Sequence, residues 1–182
     1  MRNLLLLLII FSETALLNAQ SDSMSLEIII DKLQKTQLIL GENDLEKVII
    51  NQKDFLQFKN NGFIRYSDLG ATGDGVTDDM TYIKATHAVA NEYEFAVKAD
   101  DGALYYISGK ENPAVIHTDT DFGNATFLID DVAVENINTP IFEVRSRMKP
   151  ITVSGLTQLK KNQKTIAQRL PEACIVTVSD DK

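Results

Sequence analysis

The hydrophobic positions of this chain change their spacing twice along its length. Leu4 to Phe11 is an unbroken apolar run that stops at Ser12 and Glu13. Residues 20–62 are mixed. Leu26, Ile29, Ile30 and Leu33 fit one helical stripe, yet Ile28-Ile29-Ile30 is β-branched and suits a strand equally well. Val48-Ile49-Ile50 forms a second apolar segment, followed by Phe55, Leu56 and Phe58 and a turn at Asn60-Asn61-Gly62. A short run, Phe63 to Tyr66, then leads into a loop rich in glycine and aspartate and a helix predicted over 77–92. Thr77 is a suitable N-cap, and Asp78 and Asp79 fall in a first turn that favours negative charge. Met80, Ile83, His87 and Ala90 share one face of that helix, with Ala85 and Ala88 beside them.

After residue 93 the pattern turns to short β-like runs between turn residues. They cover 95–97, 104–107, 115–116, 126–129, 141–144 and 174–178. One segment breaks the series: 156–168 predicts a helix, with Leu159 and Ile166 on one face of a largely polar stretch. The fold class is therefore mainly β. Periodicity alone leaves a sandwich, a barrel and a solenoid open, because no repeat is identical enough to be read by eye.

Composition narrows the partners. There are 26 acidic and 18 basic residues among 182, a net charge of −8, and clustered Lys and Arg are what a phosphate backbone requires. Nucleic acid is excluded as a partner on that ground, since Lys160-Lys161 and Lys164 read as a solvated face. Residues 1–19 read as a cleavable export signal: Arg2 is its charged start, 4–11 its apolar centre, and Ala19 the small residue at the cut. Arg2 and Glu13 cancel within it, so the remainder keeps the full charge. The apolar run is shorter than the roughly 20 residues a membrane span needs. Cys174 is the only cysteine, so no internal disulfide can form, and its apolar neighbours predict a buried small side chain.

The loop Asp68-Leu69-Gly70-Ala71-Thr72-Gly73-Asp74-Gly75-Val76-Thr77-Asp78-Asp79 is the most informative stretch. Gly70 and Gly75 have the spacing of a phosphate-binding loop, but Val76 stands where the lysine belongs and three aspartates would repel a nucleotide. The glycine spacing is not that of a dinucleotide fold either. Asp68, Asp74, Asp78 and Asp79 lack the alternate-ligand spacing of a calcium loop. A structural reading is favoured: glycines with φ > 0 bend a strand into a helix, and aspartates cap the connection.

This loop, followed by an alanine-rich helix, resembles the opening motif of the pectate-lyase-like proteins, a family of rhamnogalacturonases, polygalacturonases, related epimerases and phage tail spikes. The family usually has phenylalanine where Leu69 stands. The resemblance covers about two dozen residues. It implies the start of a right-handed parallel β-helix whose N-terminal end is covered by a capping α-helix, and it is nearly silent on the reaction. Domains follow as a signal at 1–19, an N-terminal extension at 20–62, and the cap and first coils at 63–182. The strand-like run 174–178, followed at once by Ser179 to Lys182, leads us to expect a truncated chain, the N-terminal part of a longer protein.

Chemistry is harder to place. Asp100-Asp101, Asp119, Asp121, Asp130 and Asp131 are candidate carboxylates for glycoside hydrolysis or lyase chemistry, but each pair sits beside glycine or at a strand end, where aspartate serves turns. No family catalytic residue matches a position here. Thr118 to Asn124 superficially has the look of a calcium loop ending at Asp130, with Gly123 and Asn124 in the wrong order for its sharp turn; no cofactor is expected, Ca2+ being the one alternative. His87 and His117 read as satisfied, partly buried histidines, and Asn124-Ala125-Thr126 is a formal glycosylation sequon. The expected function is a secreted, periplasmic or cell-surface protein acting on polysaccharide by lyase or glycoside hydrolase chemistry, this fragment being inactive alone if the sugar cleft lies on later coils; the alternative is a non-catalytic glycan-binding or structural β-helix module.

Overall fold

The computed structural model describes residues 26–42, 44–108, 113–130, 140–146, 150–155, 159–161 and 176–180. The expected signal at 1–19, Asp131, Lys164 and Cys174 lie outside the described residues.

The ambiguous Ile28-Ile29-Ile30 run is strand. β1 (Glu27–Asp31), β2 (Gln37–Leu40) and β3 (Leu45–Asn51) form a sheet in the order β1-β3-β2. In it Ile28 pairs with Val48 and Ile30 with Ile50, parallel, so the β-branched residues meet across strands as pleated packing favours. β2 joins the other edge antiparallel. Asn51 then caps α1 (Gln52–Asn61), its side chain accepting from the Lys53 N–H at 2.9 Å. Gly62 ends the helix in the left-handed region. The sequence pattern assigns Phe55, Leu56 and Phe58 to no element; their spacing serves a helix that buries Phe58.

From Gly62 the strands repeat in rotation. β4 (Phe63–Arg65), a 3-10 turn at Ser67–Leu69, β5 (Asp74–Asp78) and α2 (Met80–Tyr93) make the first round. β6 (Ala96–Lys98), β7 (Leu104–Ile107) and β8 (Ala114–Ile116) make the second. β9 (Thr120–Asp121), β10 (Thr126–Ile129) and β11 (Phe142–Ser146) follow, then β12 (Val153–Ser154), β13 (Leu159–Lys161) and β14 (Val176–Asp180). Three sheets result, in the orders β4-β6-β9-β12, β5-β7-β10-β13 and β8-β11-β14, and every pairing within them is parallel. The mainly-β expectation holds.

In the first round α2 stands where β8 stands in the second. It packs on β8, and Asn91 ties the two: its amide donates to the Val115 carbonyl at 2.7 Å and accepts from the His117 N–H at 2.9 Å. The predicted face of α2 is buried, with Met80, Ile83, His87 and Ala90 each 2% exposed or less.

Parallel register stacks like on like inside. Ile64 aligns with Val97, and Val97 with Thr120, all three buried. Tyr66, Tyr105, Phe122, Phe127 and Phe142 fill the centre with ring centroids 5.0–6.4 Å apart. Such pairs each contribute about 0.5–1.5 kcal/mol beyond area burial. The same cluster takes in Leu45, Val48, Ile50 and Phe58, so the first sheet and α1 share this core. Corners are tight. A Cβ on Gly155 would lie 2.4 Å from the backbone nitrogen of Gly123, one round below, so two glycine turns are stacked in contact.

Two expected elements are corrected. Helix α2 begins at Met80, not Thr77: residues 74–78 run on as β5, because Asp78 pairs with Tyr106 and the Asp79 N–H donates to the Tyr106 carbonyl at 2.9 Å. Thr77 is held instead by Asp74. Within the helix expected at 156–168, Leu159–Lys161 is strand β13. There the exposed edge of β10 supplies a ladder, Phe127 with Leu159, that a weakly amphipathic segment cannot match with helical bonds alone. The other positions of that segment lie outside the described residues.

Candidate functional site

The glycine and aspartate loop is a device for turning the chain. Asp79 is fully buried, and its two carboxylate oxygens accept from the N–H groups of Thr72 at 2.7 Å and Gly73 at 3.0 Å, with the Thr72 hydroxyl at 3.1 Å. Burial pushes its pKa up, and the backbone donors pull it back down. Asp74 accepts from Val76 N, Thr77 N and the Thr77 hydroxyl at 2.7–2.8 Å, and those backbone bonds lower its pKa. Asp78 accepts from Met80 N at 3.1 Å and from the Ser108 hydroxyl at 2.5 Å, and so carries the capping expected of Thr77. Asp68 accepts from Arg65 N at 2.7 Å, and burial raises its pKa. The N–H groups that would cradle a phosphate are thus donated to Asp74 and Asp79. The loop carries its own anions.

The later carboxylates follow the same rule. Asp100 receives the Ser67 N–H and hydroxyl and the Tyr105 hydroxyl, at 3.0, 2.5 and 2.7 Å. Asp119 accepts from Thr152 N at 2.7 Å; Asp121 accepts from Gly123 N at 3.0 Å and the Ser154 hydroxyl at 3.1 Å. Each ties a corner to the round above or below. Asp101 lies exposed in the turn after Asp100. Asn124 is exposed too, and its side chain accepts from Gly102 N at 2.7 Å, while Thr126 opens β10. Among the described residues no three His, Cys, Asp or Glu side chains gather as a metal would need, and no helix is long and apolar enough to cross a membrane.

His87 is buried against Tyr66, ring nitrogen to hydroxyl at 2.8 Å, and its Nδ1 has no partner. A hydroxyl donating to Nε2 leaves one orphan; the reverse arrangement leaves both the hydroxyl hydrogen and Nδ1 unpaired, so we assign the first. Burial holds this imidazole at a pKa of about 3. It is a neutral core group. His117 sits at the end of β8 and gives its backbone N–H to Asn91.

One gathering of polar groups was missed in the sequence. On β7 the burial alternates, Tyr105 and Ile107 inward, Leu104 and Tyr106 outward. Tyr106 donates to Asp130 at 2.9 Å and stands in register with Asp78, which holds Ser108. The bond to Asp130 raises the Tyr106 pKa, with burial adding to it. Asp78 and Asp130 thereby flank one aromatic ring on the outer face of the β5-β7-β10 sheet, although 52 positions separate them in the chain. The alternation within Leu104-Tyr105-Tyr106-Ile107 was the available signal. A tyrosine flanked by acceptors suits sugar hydroxyls. Comparison with protein-family models, with curated proteins and with solved structures found no match.

Proposed function

We propose that the chain is exported and winds as the lid and first coils of a right-handed parallel β-helix of the pectate-lyase-like class, acting on polysaccharide by lyase or hydrolase chemistry. The observation that carries this reading is the rotation of strands through three parallel sheets beneath a helix that replaces the first strand of the third. Such a helix covers apolar side chains and unpaired backbone that the end of a stacked solenoid would otherwise expose. The right hand follows the general rule for parallel crossovers. The motif at 68–79 supports the family, and the outer row of Asp78, Tyr106, Ser108 and Asp130 offers a surface for glycan hydroxyls.

A second reading, a non-catalytic glycan-binding or structural module, is favoured by the carboxylates themselves. Most of the aspartates in the loop and at the corners are engaged by backbone N–H or neighbouring hydroxyl groups, which is the work of turns rather than of acid–base chemistry. The two readings separate in one assay. The purified chain, incubated with uronate-containing polysaccharides, should give unsaturated ends absorbing in the ultraviolet or new reducing ends; retention on the polysaccharide with neither product establishes the module. The absence of both product and retention would refute the carbohydrate assignment altogether.

A further inference from the structure

The segment before the strand rotation has a concavity of its own, an open cleft of about 610 Å3 between the turn after β1 and the outward face of α1. Its lining is chemically one-sided. Lys32 and Lys53 face it, together with the amides of Gln52, Gln57, Asn60 and Asn61, and no aspartate or glutamate among the described residues lines it. That is unusual in a chain with 26 acidic residues against 18 basic ones.

The neighbouring acids are occupied. Asp54, in the first turn of α1, accepts the Thr36 hydroxyl at 2.6 Å, and Asp31 accepts the N–H groups of Leu33 and Gln34 at 2.6 and 2.9 Å. The same bonds fix the cleft's wall. Asn51 adds to them by donating to the Gln34 carbonyl at 2.7 Å while it caps α1, so turn and helix are joined before any ligand arrives. Neither lysine has an ion pair among the described residues.

We infer that this cleft is a binding site for an acidic saccharide. Five amides line the cleft, and the four other than Asn51, which joins turn to helix, outnumber the two ammonium groups, which matches a ligand with many hydroxyls and few charges; amides donate to and accept from hydroxyls, and each ammonium meets one carboxylate. Leu56, half exposed in the floor, offers an apolar patch for the C–H face of a sugar ring. Compact polyanions are served less well, because among the described residues the lining has no arginine to grip a phosphate bidentately. The site lies outside the strand rotation, and its occupancy does not depend on the activity proposed above.

The test is a titration of the full chain followed by 15N-edited NMR, with tri-galacturonate, neutral maltotriose and inorganic phosphate as probes. Tri-galacturonate should shift the side-chain amide signals of Gln57, Asn60 and Asn61 and bind roughly tenfold more weakly in the Lys32→Gln/Lys53→Gln variant or at high salt. Asn60→Ala, at an exposed position, gives a second variant with the same expected direction. Maltotriose binding as tightly as tri-galacturonate would overturn the inference. So would phosphate matching the saccharide, shifts confined to residues outside the cleft, an unchanged affinity in both variants, or no binding at all. Loss of product in the polysaccharide assay leaves these shifts unaffected, and product or retention that persists in the Lys32→Gln/Lys53→Gln variant belongs to the strand rotation and not to this cleft, so the two proposals are told apart.

Discussion

At Asp79 a single carboxylate does the work of a turn. Its oxygens receive two backbone N–H groups in partly buried hydrogen bonds, and leaving such donors without an acceptor costs on the order of 1–3 kcal/mol. Asp79→Asn turns an amide donor toward one of them. It should lower unfolding stability by about 1–3 kcal/mol, read from the urea midpoint; an unchanged midpoint would mean the loop is held by something else. Gly155 poses a steric version of the same constraint. Its φ of 81° lies in the left-handed region and its missing Cβ makes room for the Gly123 backbone. Gly155→Ala should cost about 2 kcal/mol or more.

His87 makes a prediction about pH. Its ordinary pKa is 6.5, and in the fold burial holds it at about 3. Between those values the unfolded chain takes a proton that the folded chain refuses. Stability therefore falls as pH drops from 6.5 towards 3, by about 1.4 kcal/mol per unit, and levels off below. Asp74, with its lowered pKa, loses stability in the same direction at lower pH, whereas Asp68 and Asp79, with raised values, act oppositely. The comparison that isolates the histidine is His87→Gln, which keeps an acceptor for Tyr66 but does not titrate. Its stability should be flatter than wild type as the pH falls from 6.5 towards 3, and parallel curves would contradict the assignment.

At the scale of elements, legibility followed length and composition. The strands at Leu104–Ile107 and Thr126–Ile129 are each four residues of apolar and aromatic character between turn residues, and they fall where the sequence predicts them. The two-residue strands β9 and β12 were not legible. Thr120–Asp121 and Val153–Ser154 are ordinary turn-adjacent dipeptides until a neighbouring round supplies their ladder. β13 was hidden for the same reason, and the helix start was misplaced because Asp78 is claimed by β7. As for the candidate site, its loop was legible from three glycines and four aspartates, while the pairing of Asp78 with Asp130 around Tyr106 needed the register of β5, β7 and β10. Helix α2 makes its own prediction. Ile83 is fully buried on α2 within the common core, so Ile83→Ala should cost about 2–5 kcal/mol of global stability in one cooperative transition. A separate early transition would show that α2 is a loosely attached element.

For the whole molecule the central claim is rotation: each round lays its strands parallel on those of the round before. Lys98 on β6 and Asp121 on β9 are exposed register partners, and parallel neighbours lie at the Cα separation a disulfide accepts, roughly 4.4–6.8 Å. The most direct measurement is disulfide trapping in a Cys174→Ser background, comparing Lys98→Cys/Asp121→Cys with the offset pair Lys98→Cys/Asp119→Cys. The account predicts rapid, near-complete closure of the first pair under mild oxidation and slow or partial closure of the second. Failure of the 98–121 pair to close, or preferential closure of 98–119, would contradict the parallel register on which the fold and the proposed function both rest.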